Sequence, residues 1–230
     1  MNILETLGDA LSEVGTVIGS VLVETVSNVL DKLPVVLDKA IVVVSAISMV
    51  VVKVGELLNI ASNDENPAEL GAKVLQDGTR SIEPEETAQE YLDYLRNSVE
   101  LDKNKFETMT EVEKINCEVV GDVILAKSIE EKIGIEITGD FLITIPKADL
   151  KYEMVSALMK SFSNAEISSL NEFTRYISND MSDTEATKIG NAVKEAIRDI
   201  LPEMSQKDIQ KEIVNMKQIY FLNESMMPKE

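Results

Sequence analysis

Histidine and tryptophan are absent from this 230-residue chain, and cysteine occurs once, at Cys117. Without His there are no imidazole metal ligands, no Ser-His or Cys-His nucleophiles and no imidazole pH switch. A single Cys rules out an intramolecular disulfide framework. The ten glycines are scattered, so the phosphate-cradling G-x-x-x-x-G-K-[ST] loop and the dinucleotide G-x-G-x-x-G fingerprint are both missing. No G-x-S-x-G nucleophile elbow occurs either. Basic residues are also few: 22 Lys and Arg against 41 Asp and Glu leave a net charge of −19. A polyanion of this kind is repelled by phosphate backbones, so nucleic acid is excluded as a non-specific partner.

What remains is a chain that is 44% hydrophobic, too apolar for wholesale disorder and long enough to bury a core. Its composition changes near residue 62. Residues 1–62 hold seven acids, three bases and no aromatic residue, and are crowded with Val, Ile and Leu. Residues 63–230 hold 34 acids and 19 bases, a net −15. The turn-forming run Asn63-Asp64-Glu65-Asn66-Pro67 stands between them. The expected organisation is an apolar helical hairpin over 1–62 followed by an acidic helical domain over 63–230.

Helical start signals recur in the second block. Pro84 can open a helix with apolar positions Ala88, Tyr91, Leu92, Leu95 and Val99. Four pairs have capping-box spacing: Thr110 with Glu113, Ser163 with Glu166, Ser182 with Glu185, and Ser205 with Asp208. Each precedes apolar residues at intervals of three and four, and Pro202 ends the helix before the last pair. The fold class predicted is therefore all-α. Residues 135–145 alternate apolar and polar around Gly139-Asp140. That stretch is equally compatible with a small β-hairpin and with a helix end followed by a buried loop.

The first block carries the most unusual pattern. Ile3, Leu7, Leu11, Val14, Ile18, Val21 and Leu22 begin a helical repeat that runs to Leu33. Beside it Gly8, Ser12, Gly15 and Gly19 share a face and outline a groove for close helix packing. Three glycines in one helix cost roughly 1 kcal/mol each relative to Ala, which calls for a packing reason. Pro34 breaks the pattern, and thirteen uncharged residues then run from Ala40 to Val52 between Lys39 and Lys53. Val42, Val43, Ile47, Val50 and Val51 make this second helix apolar on every side, so it must be covered on every side. A single membrane span wants about 20 apolar residues, and thirteen is short.

The chain opens with Glu5 and Asp9 before any Lys, the reverse of a secretory leader, and has no lipidation motif. A cytoplasmic location is the default, with leaderless export or membrane association left open. Scarce Cys and no N-terminal address are in keeping with a bacterial or phage-like protein. Glu83, Glu85 and Glu86 suit a helix N-terminus, Glu130 and Glu131 a solvated face, and Asp64-Glu65-Asn66 lacks the Gly and Glu of a calcium loop. No catalytic residue, metal or cofactor is expected. The sequence points to a non-enzymatic interaction or structural protein, a subunit or adaptor that self-associates or binds protein partners through its apolar hairpin. Insertion of residues 1–62 into a bilayer is the alternative, and a carboxylate-dependent enzyme a remote one.

Overall fold

Short-range capping and 3.6-residue periodicity dictate most of what is observed. In the computed structural model, residues 28–29, 31, 37–77 and 86–226 are described. The fold is all-α, with ten helices and no strand among the described residues. Of the first helix of the expected hairpin only residues 28–29 and 31 are described, as helix, and its Gly8, Ser12, Gly15 and Gly19 groove and the break at Pro34 lie outside the described residues. The chain forms two compact units, one ending at Lys132 and the other beginning at Ile133. The compositional boundary at residues 62–63 falls inside the first unit.

In the first unit, α1 (Leu37–Leu57) is a single helix over the Val-rich run. It ends where Asn59 takes a left-handed conformation, φ 54°, and the Ile60 amide donates back to the Gly55 carbonyl at 2.8 Å. Then follow α2 (Pro67–Asp77), α3 (Ala88–Asn97), the short α4 (Lys103–Thr108) and α5 (Glu111–Ile133). Pro67 sits in the first turn of α2, where its missing N–H costs nothing, and the Asn66 side chain accepts from the Ala68 amide at 3.1 Å. The Thr110–Glu113 box forms as expected: the Thr110 amide donates to Glu113 at 2.7 Å, and the Glu113 amide to Thr110 at 3.3 Å. Pro84 lies outside the described residues. The helix expected from it opens at Ala88, capped by a reciprocal Thr87–Glu90 box.

Helix α5 is the axis of this unit. From Ile115 to Ile129 only Glu118 and Lys127 are not buried. Helix α2 crosses it at very short range. A Cβ on Gly71 would stand 1.8 Å from the Cys117 carbonyl oxygen, and one on Gly121 would stand 2.0 Å from the Pro67 carbonyl oxygen. Each helix thus supplies one glycine, four residues along from the backbone its partner meets. The loop after α1 is fastened by Arg96, which donates to the Ile60 carbonyl at 2.8 Å and pairs with Glu65.

The second unit contains α6 (Gly139–Lys147), α7 (Tyr152–Asn164), α8 (Asn171–Ile177), α9 (Asp183–Ile200) and α10 (Gln206–Met226). Phe141, Phe162 and Phe173 are fully buried, with Phe141 and Phe173 edge-to-face at 6.4 Å. Where α7 meets α9, Ser161 donates to the Ala192 carbonyl at 2.5 Å. Capping by Ser182 with Glu185, and by Ser205 with Asp208, matches the sequence expectation.

Two expectations are corrected here. There is no β-hairpin at 135–145. Thr138 accepts from the Phe141 amide at 3.2 Å and starts α6, so Gly139-Asp140 is a first helical turn. Glu136 instead forms an isolated parallel bridge with Ser169. The alternation that suggested a strand is buried on nearly all sides of a helix: Phe141, Leu142, Ile143 and Ile145 are each at most 2% exposed. Ser163 does not cap a helix. It lies in the last turn of α7, because the apolar repeat Val155, Leu158, Phe162 carries helix through it. Glu166 then adopts φ 53° as the chain reverses, and α8 starts later, without a side-chain cap.

Candidate functional site

The five residues singled out on the second apolar helix divide between two faces of α1. Val43, Ile47, Val50 and Val51 are buried, with Val44 and Val54 beside them. Val42 points the other way and is 68% exposed. On that outer face Met49 is 63% and Leu57 59% exposed, Ser45 is open, and Ile41, Ala46 and Val52 are half-buried. The result is an apolar stripe of about three turns. Asp38 and Lys39 bound it at one end, and the Lys53–Glu56 ion pair, 2.7 Å, separates its main part from Leu57 at the other. Lone exposed apolar residues are ordinary, but a row of them on one helix face is a surface in want of a cover.

The inner face holds the feature that sequence reasoning missed. Asp122 of α5 is 2% exposed, and its Oδ2 accepts a hydrogen bond from Ser48 of α1 at 2.5 Å. Its Oδ1 has no partner. Burial pushes the Asp122 carboxyl well above the ordinary carboxylate value, and nearby Glu118 adds to the rise against the Ser48 hydrogen bond. The pair joins helices 74 positions apart in sequence. The available signal was a lone acid in the run Val119-Val120-Gly121-Asp122-Val123-Ile124-Leu125-Ala126, and nothing in that run names its partner.

Asp122 is a single carboxyl without a facing acid or an open cleft, whereas acid–base work needs a group within reach of substrate. Cys117 is fully buried, and desolvation raises its thiol to about 11, so it stays protonated. Among the described residues no group of three or more His, Cys, Asp or Glu could hold a metal ion. In the second unit an open cleft of about 410 Å³ has Leu150, Met154, Ile197 and Met216 in its walls and Glu153 and Glu212 at its rim. It brings together no nucleophile and base.

Residues Asp38–Leu57 are long and apolar enough to cross a membrane by length and composition, with mean hydropathy 2.1, and half of that window is buried inside the protein. No family model, curated protein or solved structure matches the chain.

Proposed function

We propose that the protein is a non-enzymatic interaction subunit whose anchor is the outer face of α1. The observation that carries this reading is the exposed stripe of Val42, Met49 and Leu57 on a helix whose opposite face is core. Covering a large apolar side chain is worth roughly 1.5–3 kcal/mol, so a partner that buries the stripe gains several kcal/mol from this helix alone. The acidic remainder keeps the free chain soluble by self-repulsion.

Bilayer insertion is the second reading, favoured by the length and apolarity of Asp38–Leu57. Withdrawing α1 would strip six buried valine and isoleucine side chains from the facing core, on the order of 10 kcal/mol, and take from Asp122 its hydrogen bond to Ser48. Asp38, Lys39 and Lys53 would add a few kcal/mol each in hydrocarbon. A protein partner asks for neither cost.

A photoreactive residue in place of Met49, in the full chain and in its source cell, tests the choice. Cross-links to protein are expected. Cross-links to lipid, with liposome flotation of the purified chain, would overturn the reading in favour of insertion.

A further inference from the structure

The outer face of α1 is self-complementary when two copies are laid antiparallel. In a two-fold pair, if residue i meets residue j of the partner then j meets i, so every contact is symmetric about one point along the helix. With that point between Ser45 and Ala46, Val42 faces the partner copy's Met49, and Ser45 faces its Ala46. The exposed Asp38, which makes no ion pair among the described residues, then faces the other copy's Lys53, which is 46% exposed and is shared with Glu56 of its own helix at 2.7 Å. Small residues stand at the crossing, where backbones come closest. Large apolar residues flank them, and opposite charges close each end. Sliding the pair by one turn in one direction sets Val42 against Lys53. Sliding it the other way sets Asp38 against Met49. A parallel pair sets Asp38 against Asp38 and Lys53 against Lys53. Of these arrangements, the antiparallel register centred on Ser45 and Ala46 sets Val42 against Met49 and Asp38 against Lys53, with Lys39 beside Val52.

We infer that the partner covering the outer face of α1 is a second copy of this chain, docked antiparallel about the Ser45–Ala46 point. The inference rests on the interaction-subunit reading and names its partner. Like charges on the two acidic copies repel at long range, so dimerisation strengthens as salt is raised toward physiological ionic strength.

Disulfide trapping on the full chain tests the register, since the changed positions are exposed and the buried Cys117 thiol stays out of the reaction. Ser45→Cys lies next to the two-fold and is expected to oxidise to a covalent dimer. Val42→Cys lies about 10 Å along the axis from its own copy, at 1.5 Å rise per residue, beyond disulfide reach. It should cross-link with itself roughly tenfold more slowly than in a mixture with Met49→Cys chains. In sedimentation, Asp38→Lys or Lys53→Asp alone should weaken the dimer, and the double swap in one chain should restore it. A Ser45→Cys chain that stays monomeric, or a Val42→Cys chain that links to itself as fast as to Met49→Cys, would overturn the inference. Photo-cross-links from position 49 separate the two failures. Adducts to a different protein with a monomeric Ser45→Cys chain sink the homodimer and leave the subunit reading standing, whereas lipid adducts sink both.

Discussion

Replacing Asp122 by Asn should change how stability depends on pH, in a direction the structure sets. In the folded chain the carboxyl is enclosed and titrates well above its ordinary value of 3.8, while in the unfolded chain it is solvated. Between those two values the folded state holds one more proton than the unfolded state. Wild-type stability from this group therefore falls as pH rises through that window, by about 1.4 kcal/mol per pH unit. Other carboxylates act in the opposite sense. Glu90, Glu113, Glu185 and Asp208 titrate below their ordinary values, chiefly because Thr87, Thr110, Ser182 and Ser205 hydrogen-bond to them, and their contribution is lost as pH falls. Those groups are the same in both proteins and cancel in the difference. Asp122→Asn keeps the shape and an acceptor for Ser48 but cannot ionise. Its stability relative to wild type should rise by about 1.4 kcal/mol for each unit from pH 5 toward the folded-state value of Asp122. Urea unfolding followed by far-ultraviolet circular dichroism at pH 5, 6 and 7 measures this, clear of the isoelectric point near 4.4. Curves for the two proteins that stay parallel, drifting by less than about 0.3 kcal/mol over that range, would refute the reasoning. The companion Ser48→Ala should lose about 1–3 kcal/mol, because it leaves both carboxyl oxygens buried without a partner.

Gly71→Ala and Gly121→Ala each gain up to about 1 kcal/mol of helix propensity, yet both should destabilise by more than that, since the new methyl meets a backbone carbonyl at 1.8 and 2.0 Å; urea midpoints above wild type would contradict the close crossing. Cys117 should be unreactive toward a thiol reagent in native buffer and should label fully in denaturant, a contrast that fails if the site opens readily. Ser182→Ala removes the hydroxyl half of a reciprocal cap on α9 and should cost about 1 kcal/mol by thermal or urea unfolding, whereas an unchanged midpoint would mean that tertiary packing alone holds that helix end.

The helix class and three of the helix starts were legible because they depend on residues three or four apart. Thr110 with Glu113, Ser182 with Glu185 and Ser205 with Asp208 each bond within one turn, and such bonds need no distant partner. The same local logic failed where a stronger neighbouring pattern ran through the signal. Ser163 and Glu166 have capping spacing, but the apolar face of α7 continues past Ser163, and burial of Phe162 outweighs an alternative start. Residues 135–145 alternate like a strand, yet a helix enclosed on nearly all sides buries the same residues without leaving a sheet edge.

Composition and periodicity alone determined that the chain is helical and acidic, without imidazole or disulfide chemistry, and that residues 40–52 form an apolar helix in need of cover. Tertiary structure decided which side of that helix is covered. Val42 and Val43 are neighbours of the same type in the sequence, and only tertiary packing makes one 68% exposed and the other 6%. It also decided that Ser48 meets Asp122 and that Gly71 and Gly121 carry the close crossing. Hydrophobic burial is non-directional, so sequence records how much apolar surface must be hidden. Which partner hides it depends on contacts between residues far apart in the chain, and no local pattern encodes them.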